Sequence, residues 1–157
     1  MNATLIRNHN ERVQPNDTVF FLGDFCFTNT KGGKDGEGAL DKAEHYIRQL
    51  NGRFVFIKGN HDHNNSLKTC INGMSITLGG KDIYLTHRPQ DYNSKFKLNF
   101  VGHVHELWKT KKLKKGVLLV NVGCDVNFFK PININEILKT VQDYENGRID
   151  EHGKLKV

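Results

Sequence analysis

The chain has 157 residues, 37% hydrophobic and 25% charged, with a formal net charge of +6. That suffices for one domain with a single sizeable core and is too apolar for wholesale disorder. No run approaches the roughly 20 apolar residues that cross a bilayer, and MNATLIRNHNERV lacks the apolar stretch of a secretory signal.

The expectation is therefore a cytoplasmic protein with no membrane partner, its three widely spaced cysteines (Cys26, Cys70 and Cys124) kept as thiols. The positive charge favours an anionic partner, and a phosphate ester satisfies it as well as nucleic acid does. One domain is expected over 1–157, with a core to residue 147 and a tail over 148–157.

Leu5, Ile6, His9 and Val13 are at helical spacing, and Pro15-Asn16-Asp17 breaks the pattern. Thr18 to Leu22 reads as a buried strand ending at Gly23-Asp24. Residues 28–38 are a polar, glycine-rich loop. Ala39, Leu40, Ala43, Ile47 and Leu50 mark one face of a helix stopped by Asn51-Gly52. Phe54 to Ile57 is a second strand and runs into Gly59-Asn60-His61-Asp62. Met74 to Leu78 and Ile83 to Thr86 predict a hairpin around Gly79-Gly80-Lys81, and its second strand ends at His87. Phe100-Val101 leads into Gly102-His103-Val104-His105. Val117 to Val122 ends at Gly123-Cys124-Asp125. Asn135 to Asn146 predicts a final helix with Gly147 as its stop.

Asp24, Asn60, His87, His103 and His105 thus each follow a short apolar strand. In helix-covered sheets such strand ends open into a common crevice, where separate segments deliver side chains to one point. A set of carboxylate, amide oxygen and imidazole suits a borderline transition ion such as manganese, iron or zinc better than magnesium or calcium. An aspartate can bridge two ions, the role open to Asp24, and an ion pair about 3.5–4 Å apart can clamp a phosphate and activate water. His61, with Asp62 beside it, suits the proton donor to a leaving oxygen. In an extended Gly-His-Val-His segment, alternate residues point the same way, so His103 and His105 are expected to converge. Taken singly, each of these residues is also readable as an ordinary turn or loop residue; their serial placement at strand ends is the signal.

The ordered motifs Gly23-Asp24, Gly59 to Asp62, His87 and Gly102 to His105 resemble those of the calcineurin-like metallophosphoesterases, in their small single-domain bacterial and phage branch. NATLIRNHNERV, NDTVFFLGDF and the NVG of Asn121 to Gly123 resemble that branch as well, and the likeness runs to about residue 140. It implies a four-layer α/β sandwich of two mixed sheets flanked by helices. It implies Asp24 as a metal bridge, Asn60, His87 and His103 completing one site, and His105 serving another. His61 would act as general acid toward the leaving oxygen, while a hydroxide generated at a divalent ion (Mn2+, with Fe, Zn or Ni as alternatives) attacks phosphorus. The expected substrate is a phosphorylated small molecule or nucleotide, a phosphodiester before a monoester.

The resemblance also implies an opening strand ending in Asp-x-His, which supplies ligands to the first ion. No such motif precedes Gly23; His9, the one histidine there, lies in a helical pattern. The expectation is one tight ion per chain where the family has two, reduced turnover, and a gap in one sheet for a second copy or another partner to cover. The alternative is a degenerate member that binds one metal or a phosphorylated ligand without efficient catalysis. A metal-free, basic nucleic-acid-binding module is a third reading, resting on Lys109, Lys111, Lys112, Lys114 and Lys115; a solvated hairpin tip explains the same lysines. Trp108 and Tyr92 read as packing residues, and Cys26 and Cys124 as small buried ones.

Overall fold

The computed structural model describes residues 2–26, 42–62 and 67–156. The glycine-rich loop, the first residues of the second expected helix and His63 lie outside them. Helix α1 (Asn2–Asn10) is followed by β1 (Thr18–Phe21), a short α2 (Ala43–Ile47) and β2 (Arg53–Phe56). β1 and β2 pair in parallel, from Thr18 opposite Arg53 to Phe21 opposite Phe56. On its other side β1 has no strand partner among the described residues.

The larger sheet is mixed and five-stranded, in the order β3 (Gly73–Leu78), β4 (Lys81–Thr86), β5 (Leu98–Val101), β7 (Leu118–Asn121) and β6 (Thr110–Lys112). β4, β5 and β7 run parallel, whereas β3 and β6 are antiparallel edges. The strand sequences account for this order. LNFV of β5 and LLVN of β7 are buried at every position, as interior parallel strands are. β3 and β4 meet at Gly79 and Gly80, whose φ of 57° and 70° make the tight turn that matches strand twist.

β6 was not anticipated. Its Lys111 and Lys112 alternate with no apolar pattern, and it exists because Thr110 to Lys112 pair with Val120 to Leu118. Exposed lysines suit a sheet edge, where they discourage pairing with another chain.

Helix α3 (Ile134–Glu145) opens on a capping box: Asn133 Oδ1 accepts from the Glu136 amide, and Glu136 Oε2 from the Asn133 amide. Ile137 of α3, Leu22 and Ile57 beyond β1 and β2, and the facing row Ile83, Leu85, Leu98, Phe100, Leu118 and Val120 share one core. The fold is therefore α/β with two sheets on a common core, the smaller reduced to two strands among the described residues. Residues 148–156, read as a tail, form a return with Ile149 bridged to Leu155, and the Glu151 carbonyl accepts from the amides of Lys109 and Thr110. No helix among the described residues is long and apolar enough to cross a membrane.

Candidate metal centre

The loops leaving β1 and β2 are laced together by two carboxylates. Asp24 Oδ1 accepts from the His61 amide at 2.8 Å, while Asp62 accepts from the amides of Gly59 at 2.7 Å and Phe25 at 3.3 Å. The backbones come so close that a Cβ on Gly23 would stand 2.6 Å from both Gly59 Cα and His87 Nδ1. Asp24 itself has φ of 57°. A non-glycine residue held there costs about 1–3 kcal/mol, and such strain concentrates where a side chain must be aimed.

His87, almost fully buried at the end of β4, is the hub. Its Nδ1 lies 2.6 Å from the Leu22 carbonyl, which only accepts, so Nδ1 carries a proton. Its Nε2 is 3.1 Å from Asp24 Oδ2, 2.9 Å from Asn60 Oδ1 and 3.2 Å from His103 Nδ1. One ring nitrogen has one proton or one lone pair and satisfies at most one of these neighbours. A cation at their common point suits all four donors, and the carbonyl behind His87 sets the tautomer a ligand needs. One ligand atom from each of Asp24, His87 and His103 lies within 4.8 Å of the others. Loss of water around the His103 ring, then repulsion by His87 and Arg88, hold its pKa below the usual histidine value despite Asp24, which favours the neutral ligand form.

His105 is not among those three donors, and the resemblance assigns it to another ion. The expected extended Gly-His-Val-His segment is a tight turn, with φ of 67° at His103 and 45° at His105 and the Val104 amide bonded to the Gly102 carbonyl. Alternation therefore fails: His103 faces His87, while His105 Nδ1 lies 3.1 Å from Asp125 Oδ2 on the loop after β7. His61 is exposed at the edge of the group, its amide on Asp24. Asp62, read as the group that orients His61, is buried and also ties the β1 and β2 loops together through the amides it accepts from. His9 stacks on Phe54 and reaches the Asn51 carbonyl at 2.8 Å, as a packed core histidine does.

Sequence reasoning missed three participants. Asn121 is buried; its Nδ2 donates to the carbonyls of His105 and Trp108, and its Oδ1 accepts from the Gly123 amide, so it shapes both loops flanking His105. A polar residue closing an apolar run was its signal, the same one that marked Asp24 and Asn60. Asp125 had only its place beside the β7 terminus, and the Leu22 carbonyl had none. The thiols of Cys26 and Cys124 are pushed up by burial and by Asp62 and Asp125 respectively, which disfavours the thiolate at both; Cys124, expected to be buried, is exposed as a residue.

The sequence profile of the calcineurin-like phosphoesterase superfamily domain matches residues 1–128. An uncharacterized protein of Methanocaldococcus jannaschii is 32% identical over 149 residues, which cover 90% of this chain and 76% of that protein. A protein of unknown function from Aquifex aeolicus has a similar structure, with a TM-score of 0.58 and 22% identity over 88% of this chain and 83% of that one. Vps29 of Entamoeba histolytica complexed with zinc matches at a TM-score of 0.47 and 20% identity, over 78% of this chain and 64% of that one. A profile that spans most of the chain, on a fold with this donor cluster at its strand ends, leaves one family: the chain belongs to the calcineurin-like phosphoesterase superfamily.

Proposed function

We propose that the chain is a metal-dependent hydrolase of phosphoester bonds, with phosphodiesters of small molecules or nucleotides as its substrate class. The observation that supports this is the meeting of Asp24, Asn60 and His103 on Nε2 of His87, a donor set for one borderline ion such as manganese. Bound there, the ion would supply Lewis acidity toward a phosphoryl oxygen and lower the pKa of water. The choice of diesters rests on family likeness alone. The chain's own residues do the rest. Asp24 and Asn60 present oxygens from the small sheet, His87 and His103 present nitrogens from the large one, and His61 at the edge passes a proton to the leaving oxygen.

A second reading, a member that holds one ion or a phosphorylated ligand with little turnover, is favoured by one observation. The His105 ring is engaged with Asp125 and is not in the Asp24, His87 and His103 group.

Elemental analysis of the purified chain, paired with hydrolysis of bis(p-nitrophenyl) phosphate in added Mn2+, tests both. About one ion per chain with turnover, both lost in His87→Ala, is the expected result. Retained metal without turnover supports the second reading. Turnover that survives both chelation and His87→Ala would sink the first.

A further inference from the structure

The net charge of +6 has a location. Because β4, β5 and β7 are parallel, their first residues share the end of the large sheet remote from His87, His103 and Asp125. Antiparallel β6 brings its last residues to that same end, Lys112 opposite Leu118. Lys81 opens β4, Lys97 precedes β5, Lys111 and Lys112 finish β6, and Lys114 and Lys115 form the turn into β7. All six side chains are exposed, and none forms a salt bridge among the described residues. Their number matches the whole net charge, so the rest of the chain is nearly balanced. Asp82, the carboxylate beside Lys81, is engaged by the Thr77 hydroxyl at 2.7 Å.

One of these lysines is tied down, and the turn that bears two others is fixed. Lys97 Nζ donates to the Lys115 carbonyl at 3.0 Å, and the turn is closed by the Leu113 amide on the Val117 carbonyl. Lys115 sits at φ 63° and Gly116 at 74°, so this turn is a fixed bend. From β4 to β6 the row crosses three strand spacings of about 4.8 Å, or roughly 14 Å. It is a stripe of like charge on strand ends, with no carboxylate ion-paired to it among the described residues.

From this placement we propose that the end of the large sheet opposite the metal centre binds the phosphate backbone of nucleic acid, without reading sequence. Lysine is a point-charge phosphate binder and lacks the planar fork that reads guanine, so affinity without base specificity is the fitting outcome. A bilayer is the poorer match: Leu107 and Phe128, two of the most exposed apolar side chains, follow β5 and β7 at the other end, and at this end Leu78, opposite Lys81, is only 36% exposed, a slight wedge for insertion. The proposal stands apart from the proposed hydrolysis, since no residue of the stripe belongs to the metal centre.

The test is fluorescence anisotropy of labelled 20-nucleotide single-stranded and duplex DNA and RNA of unrelated sequences, in EDTA, from 50 to 200 mM KCl. If about three phosphates are contacted, affinity should fall about 40-fold across that range for duplex DNA and about 20-fold for single strands, alike for all sequences. Lys112→Glu/Lys114→Glu/Lys115→Glu should lose at least tenfold and flatten the salt dependence. Lys42→Glu/Lys154→Glu/Lys156→Glu, with the same change of net charge, should bind like wild type, and circular dichroism should show both variants folded. Equal loss in the two variants would reduce the effect to net charge and overturn the proposal. So would absence of binding at 50 mM KCl, or stronger binding to polyglutamate or phosphatidylserine vesicles than to nucleic acid. Should the stripe variant prove unfolded, Lys→Gln at the same three positions serves in its place, judged by the same tenfold criterion.

Discussion

At the scale of single residues, the centre depends on what lies behind each side chain. Asp62 is the clearest case, because its buried carboxylate answers amides in two different loops. Asp62→Ala should orphan the Gly59 and Phe25 amides at roughly 1–3 kcal/mol each, and let Asp24 drift. The check is a lower melting temperature together with weaker Mn2+ binding by calorimetry; loss of turnover alone would show that Asp62 acts only on His61. His61→Ala should instead keep its metal and lose about 10²–10⁴ in rate on esters with poor leaving groups, less on p-nitrophenyl esters that need no proton. An unchanged ratio between the two leaving groups would remove His61 as acid. Asp24, Asn60, His87 and His103 were legible because a polar residue after an apolar run is a visible pattern. The turn at His103 and His105 was not, since the bonds that accompany it at His105 come from Asn121 and Asp125, more than fifteen residues away.

At the scale of elements, buried strands and capped helices read well from sequence and edges read poorly. β7 and α3 carry their own signals, an unbroken apolar run and a capping box. β6 has none, and it forms because β7 offers a free edge to a chain already turning at Leu113. The sequence likewise could not show the return at 148–156, whose contact is one carbonyl on two amides. The tie between the turn after α1 and helix α3 tests the electrostatics. Arg12 forms a very short bond to Glu136, and this bond, with the Asn133 amide, holds the Glu136 carboxyl below its ordinary range. A depressed carboxyl contributes stability above its unfolded value that is lost as pH falls through the folded one. Glu136→Gln should therefore melt lower than wild type at pH 7, and the two curves should draw together in acid below pH 4. A gap that persists in strong acid would assign the effect to the helix cap instead.

At the scale of the whole molecule, the candidate metal centre is where two sheets meet. Asp24 and Asn60 come from the ends of β1 and β2, and His87 and His103 from the ends of β4 and β5. An ion there binds only the assembled arrangement, and at a hundred times its dissociation constant it should add about 2.7 kcal/mol of stability. Thermal unfolding with and without Mn2+ should show this as a rise in midpoint that His87→Ala abolishes; an equal rise in that variant would place the binding elsewhere. The same junction bears on how the protein can change. Gly23 and Gly59 press backbone against backbone, and any Cβ there strikes Asp24 or His87. These positions have no room to vary, so new specificities must be sought outside them. The freedom lies in the loops after β5 and β7, where Leu107 and Phe128 project into solvent at 67% and 85% exposure. Libraries confined to Leu107 and Phe128, which leave His103 in place, should shift which ester is accepted while sparing the ion, which would make this small domain a scaffold whose chemistry and selectivity evolve separately.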